Sequence, residues 1–360
     1  MRTMYSFIAA FLLTCFLVNG PVEAQGEAAV PFLLISPNSR ASGMGEIGTG
    51  IADDATAIHW NPAGLAFQRG QEISITHTNW LPEFGMSDLF YDYLNYRNHI
   101  ESLNGTFSAA VTYLNLGEHT RTSSIGPEPI GTFRSYEFAV TAGYATPVTQ
   151  NLGLGVNLRL IHSALSPIGT EQEEGTGVGT TVAGDIGVLY KTSLFDMPLS
   201  LGANLQNLGP RITYIDADQA DPIPTNLRLG FGLRLVETES NSLTFGADFS
   251  RILVRRYERD PDTEEIPQPD PFYKAIFTAW GDGGLQKVIM SGGFEYWYAN
   301  LIALRAGYFH EHEDFGNRKF LTFGAGIRYD IYGFDFSYIA TIEENHPLSD
   351  TLRFTLLISW

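Results

Sequence analysis

The last ten residues, Thr351-Leu352-Arg353-Phe354-Thr355-Leu356-Leu357-Ile358-Ser359-Trp360, alternate in character along their length. Leu352, Phe354, Leu356, Ile358 and Trp360 share one face, and Thr351, Arg353, Thr355, Leu357 and Ser359 the other, which is the period of a strand with two unlike faces. The pattern recurs upstream. Tyr332, Phe334, Phe336 and Tyr338 oppose Gly333, Asp335 and Ser337; Leu152, Leu154, Val156, Leu158 and Leu160 oppose Gly153, Gly155, Asn157 and Arg159. Large apolar residues hold one face, glycines and isolated charges the other. A soluble β-sandwich would hide its apolar face and use shorter strands. These segments run about ten residues, the length a tilted strand needs to cross a bilayer, so the apolar face is expected toward lipid and the polar face inward. The terminal aromatic, Trp360, fits a barrel-assembly signal.

Strands are expected near 71–79, 86–97, 105–115, 134–146, 151–163, 180–190, 199–207, 225–236, 242–250, 288–298, 301–309, 320–330, 332–340 and 351–360. The weakest is 86–97, where Leu89, Phe90, Tyr91 and Tyr93 do not alternate cleanly and an amphipathic helix is an alternative. Fourteen is an even number, and with both termini periplasmic the short turns fall on the periplasmic side and the long connections outside. Phe272 to Trp280 could pass for a strand, but counting it would invert that sorting for everything after it. It therefore stays in an outward loop, 251–287, whose prolines 261, 267, 269 and 271 precede Phe272, Tyr273, Phe277 and Trp280. A proline-rich arm ending in aromatics suits a partner surface, and connections of this length are usually functional or disordered.

The chain has 360 residues, 17% of them charged, with a net charge of -18. The acidic balance makes nucleic acid an improbable partner. Inward charges come out even: Glu72, Glu137, Asp185, Asp248, Glu295 and Asp335 against Arg159, Arg228, Arg234, Arg305, Arg328 and Arg353, a set able to pair across a narrow lumen. The acidic surplus then lies in the loops. Arg2, the apolar run from Phe7 to Val18 and Val22-Glu23-Ala24 read as a signal peptide, residues 1–24, cleaved before Gln25. Cleavage would remove the only cysteine, Cys15, so no disulfide is expected to stabilise the exported chain.

Residues 25–68 read differently. The run Ser39-Arg40-Ala41-Ser42-Gly43-Met44-Gly45 packs small residues for tight turns, and Asp53 to Gly64 suggests a short helix stopped before Pro62. Such an element could sit inside the barrel, 69–360, as a plug, with Arg40, Gly43, Gly45, Asn61 and Pro62 as its characteristic residues. At Asn61-Pro62-Ala63 the sequence resembles the FadL-like outer-membrane barrels. It is similar in particular to the PorV group of type IX secretion proteins, at Ala29-Val30-Pro31-Phe32-Leu33, Pro37-Asn38-Ser39-Arg40, His59-Trp60-Asn61-Pro62-Ala63, Glu295-Tyr296-Trp297-Tyr298 and the stretch from Arg305 to Lys319.

That resemblance implies a fourteen-stranded barrel with an N-terminal plug in the outer membrane, and a non-enzymatic role. It implies docking with a giant translocon barrel, receipt of cargo carrying a C-terminal signal domain, and delivery to an attachment complex containing a PorU-like protein. The FadL-like alternative is a channel for hydrophobic small molecules, which would require an apolar pocket in the lumen. His310-Glu311-His312-Glu313-Asp314 gathers metal-capable side chains, but it reads better as a polar loop, with His310 and His312 as candidates for partner contact. Gly175-Thr176-Gly177-Val178-Gly179 departs from the dinucleotide fingerprint, and no nucleophile elbow accompanies the serines. No cofactor or catalytic residue is expected.

Overall fold

The computed structural model describes residues 28–84, 88–123, 126–167, 176–257, 267–342 and 346–360, so the expected signal peptide lies outside the described residues. Fourteen antiparallel strands close into a barrel: β1 Gln71–Asn79, β2 Phe90–Ile100, β3 Gly105–Ser123, β4 Gly126–Pro147, β5 Leu152–Ser166, β6 Gly177–Leu194 and β7 Met197–Leu208. The second half comprises β8 Asn226–Glu237, β9 Asn241–Ile252, β10 Ile289–Tyr298, β11 Ile302–His310, β12 Lys319–Tyr329, β13 Tyr332–Thr341 and β14 Leu352–Ser359. Each strand pairs with its sequence neighbours, and β1 pairs with β14. Beyond that ladder, Trp360 N–H donates to Gln71 O at 2.9 Å and Gln71 N–H to Trp360 O at 2.7 Å, so the last residue completes the seam.

Closure leaves no free edge and satisfies every ladder without water, which is what a bilayer demands of strands. Along β14 exposure alternates: Leu352, Phe354 and Leu356 are exposed, Arg353 and Thr355 buried. The exposed apolar residues form the outer wall.

Two expectations are corrected in extent. Residues 116–123 and 126–133, expected to belong to a loop, continue the ladder, because a hairpin with water on both faces needs no hydrophobic period; β3 and β4 are 19 and 22 residues long. The 86–97 segment is a strand that starts later, at Phe90, and its alternation is masked because the inward positions are Tyr91 and Tyr93, buried against the plug. β9 runs on to Ile252, and beyond it the described residues of the arm at 251–287 form no strand; the arm carries helix α3, Phe272–Thr278 (the shorter helices α1, Ser39–Ser42, and α2, Ala57–Trp60, belong to the plug).

Residues 28–68 fill the lumen. Phe32, Ile58, Leu65, Tyr91, Tyr93, Leu114 and Ile161 form one apolar cluster between plug and wall. Where the plug backbone meets the wall, the inward residue is glycine: a Cβ on Gly155 would lie 2.3 Å from Pro62 C, and one on Gly202 would lie 2.0 Å from Thr49 O. The glycines of the polar face are seats for the plug.

Candidate functional site

Asn61 locks the plug in register. Its side-chain oxygen accepts from Ala63 N–H at 3.1 Å, while its Nδ2 donates to Thr49 O at 3.1 Å and to Val188 O on β6 at 2.9 Å. Helix α2 ends at Trp60, and Pro62 opens a 3-10 turn, Pro62–Phe67, whose missing N–H is one the turn could not have used. Arg40 ties the other half down. Its guanidinium meets Glu295 on β10 through two parallel bonds of 2.7 and 2.8 Å, and Asp53 and Asp54 of the plug at 2.5 and 3.0 Å. Arg305 continues the chain to Glu295 and Asp335, both at 2.7 Å, and Arg328 reaches Asp335 at 2.6 Å. Fork-to-carboxylate pairs of this kind carry direction as well as charge.

The even pairing expected across the lumen is corrected in four places. Arg159 and Asp185 do pair, at 2.8 Å, and Arg228 approaches Asp248 at 4.0 Å while lying over the Trp60 ring. But Arg353 turns to the plug, to Ser42 and to Glu46 at 3.9 Å, and Arg234 binds Glu237 at 2.9 Å. Glu72 pairs with Arg97 at 3.2 Å and accepts from Ala55 N–H at 2.9 Å. Glu137 pairs with no cation among the described residues. Face parity cannot foresee partners that the plug supplies, or the inward Arg97 on the irregular strand.

The plug separates two recesses with no lining residue in common. The periplasmic recess, about 560 Å³, is lined by Asp53, Arg69, Arg97, Lys191, Arg234 and Glu237 among others. The outward one is a vestibule of about 770 Å³ with Pro31, Leu34 and Ile35 on its floor and Trp80, Leu114, Leu116, Leu165, Phe320 and Leu348 on its walls. Carboxylates also line it: Glu46, Glu137, Asp221 and Glu311, with Arg318.

Beside the vestibule rises the aromatic arm. Its root is clasped by Arg251, whose Nη2 donates to Ala279 O at 2.6 Å and Asp282 O at 2.7 Å, with the Trp280 ring 4.7 Å below the guanidinium. Tyr273 and Phe277, one helical turn apart, are 66% and 77% exposed, whereas Phe272 is half-buried and Trp280 partly covered. His312 caps a turn, accepting from Asp314 N–H at 3.3 Å, and His310 lies half-buried beside Tyr308. Among the described residues no three His, Cys, Asp or Glu side chains are grouped to hold a metal ion.

Asp270 anchors the start of α3. Burial alone would raise its carboxyl, but bonds from Lys274 Nζ and Thr278 Oγ1, both 2.7 Å, and from Tyr257 OH at 2.9 Å hold it below the usual carboxylate range. A depressed folded-state value stabilises above the unfolded value of about 3.9 and is lost as pH falls through the lower folded one. The arm is therefore expected to stay docked from neutral pH to about pH 4 and to loosen below it. Trp280 fluorescence against pH should show that transition in the native chain and lose it in Asp270→Asn; an unchanged transition would place its origin elsewhere.

A family model described as "Type IX secretion system protein PorV" matches residues 23–259. Among solved structures, the Ralstonia pickettii toluene transporter TbuX is similar at a TM-score of 0.54 and 14% identity, over 91% of this chain and 99% of that one. The P. putida toluene transporter TodX is similar at a TM-score of 0.51 and 12% identity, over 94% and 97%. No curated protein matches the chain. At such identity the structural likeness speaks for the fold: a FadL-like outer-membrane barrel with an N-terminal plug.

Proposed function

The chain belongs to the PorV family of type IX secretion proteins, an outer-membrane β-barrel, and on that premise we propose that it acts by docking rather than catalysis, binding the giant translocon barrel and passing signal-domain cargo to a PorU-like attachment protein. The observation that carries this reading is the arm: a helix rooted in the wall by Arg251, tied at its start by Asp270, that presents Tyr273 and Phe277 to the outside. Isolated exposed aromatics are ordinary, but two on one helical face, held still by a buried arginine, are the form of an interface anchor. The vestibule beside the arm offers cargo a receiving surface.

Truncating such anchors costs about 2 kcal/mol each, so Tyr273→Ala with Phe277→Ala is expected to weaken association with the translocon barrel by roughly a hundredfold or more. Co-purification from gently solubilised outer membranes measures it. The folded barrel should remain intact by its heat-dependent mobility on gels, since both side chains are mostly exposed on a helix outside the ladder. Normal recovery of the translocon barrel and normal cargo export would sink the docking role of the arm.

The vestibule also suits a second reading, uptake of hydrophobic small molecules. Its apolar floor favours this; its four carboxylates disfavour fatty acids and other anionic ligands. Bound apolar ligand in the purified barrel, without any protein partner, would support that reading over docking.

A further inference from the structure

Glu137 is 3% exposed, faces the vestibule from β4 and has no cationic partner among the described residues. Its Oε1 accepts from Ser163 Oγ at 2.7 Å, and Ser163 in turn accepts from Tyr214 OH at 3.0 Å. The vestibule's other carboxylates are engaged: Asp221 binds Arg256 at 2.5 Å, Glu311 binds Arg318 at 2.7 Å, and Glu46 lies 3.9 Å from Arg353. A buried carboxylate with two hydroxyls in line and no cation is either protonated or waiting for positive charge. A cation brought into the vestibule beside it would pair with the ionised form and remove the cost of burying that charge. Leu114, Leu116, Leu165 and Trp80 wall the vestibule, and Glu137 is the lining carboxylate for which no cation stands among the described residues.

We propose that the vestibule binds an extended peptide segment in which a lysine or arginine is flanked by apolar residues, the cation pairing with Glu137 and the flanks lying on the leucine walls. This deepens the cargo-reception reading and rests on it for the segment's source; the pairing itself is a property of the isolated barrel. A cavity of about 770 Å³ accommodates a few residues of extended chain, within the usual range of ligand pockets. An apolar segment without the cation would leave Glu137 buried and unpaired, and that is the source of selectivity.

The test uses the full chain in lipid nanodiscs, with empty nanodiscs as control, and isothermal titration with acetyl-Leu-Val-Lys-Val-Leu-amide. Its twins carry Nε-acetyl-lysine or glutamate in place of the lysine. The wild type should prefer the lysine peptide at least tenfold over both twins. Glu137→Gln, which preserves the Ser163 contact and the side-chain volume, should bring that preference below threefold, with the barrel still heat-modifiable. Equal binding of the three peptides would overturn the proposal, as would a preference that survives in Glu137→Gln. Decylammonium binding as tightly as the lysine peptide, and competing with it, would overturn the peptide as occupant. Because no translocon is present, these outcomes leave the docking role of the arm to its own experiment.

Discussion

Replacing Arg40 with methionine is expected to release the plug while leaving the barrel closed. The guanidinium is 13% exposed and faces three carboxylates, Glu295, Asp53 and Asp54, of which Glu295 is 3% exposed. Removing one partner of a buried pair costs about 3–5 kcal/mol because the remaining charge has neither water nor a counterion. Two facts temper the figure. Asp53 is half in water and loses little, and Glu295 keeps its bond from Arg305, so about 3 kcal/mol is expected, at the lower end of that range. The fourteen-strand ladder does not pass through Arg40, so the loss falls on residues 28–68 alone. Protease added to the variant in liposomes should cut between residues 40 and 60, where the native chain is protected, and planar bilayers should register a conductance the native protein lacks. Arg40→Met with Glu295→Gln should recover part of the loss, since the stranded charge is gone. Protection and conductance identical to the native chain would mean that Arg40 does not hold the plug.

The barrel was legible in the sequence because bilayer physics writes itself as a pattern: one face must be apolar for about ten residues, fourteen times, and turn lengths must sort by side. Legibility failed where that rule stops acting. Beyond the membrane, residues 118–123 carry Glu118, His119 and Arg121 without any two-residue period, yet the backbone ladder continues through them. On β2 the inward face is tyrosine rather than glycine or serine, because Tyr91 and Tyr93 pack on Ile58 and Phe32 of the plug, so the two faces look alike in sequence. The site was harder still. Inward parity identifies Glu295, Arg305 and Asp335 as lumen charges, but that Arg40 would fork onto Glu295, 255 positions away, depends on the path of the plug. Likewise Glu137 and Asp185 part in what their carboxylates reach: Ser163 for the one, Asn157 and Arg159 for the other. The arm's aromatics were visible as residues; that Arg251 would consume part of Trp280 and leave Tyr273 and Phe277 free was not.

The same limit makes two glycines on paired strands behave oppositely. Gly292 and Gly307 both sit at the middle of the β10–β11 pair, and by composition they are equivalent. Parity separates them: Gly292 faces lipid with Met290 and Phe294, and a Cβ there would find its nearest atom 3.7 Å away, an ordinary contact. Gly307 faces the lumen, where a Cβ would lie 2.1 Å from Met44 C and 2.2 Å from Gly45 N. Both are backbone atoms of a turn whose φ at Gly45 is +79° and whose Gly45 N–H is already bound to Thr322 Oγ1 at 2.8 Å, so the neighbour cannot yield by rotating a side chain. Gly292→Ala is therefore expected to be neutral or to stabilise by up to about 1 kcal/mol through the unfolded chain. Gly307→Ala should cost about 3 kcal/mol, at the upper end of overpacking, and unseat the 43–48 turn with Met44 and Ile47. Thermal unfolding in detergent gives the order of the two variants, and proteolysis near residue 45 reports the turn. Equal unfolding temperatures would show that the plug backbone does not press on β11, and the glycines of the inner face would then be a smooth lining with no seat for the plug.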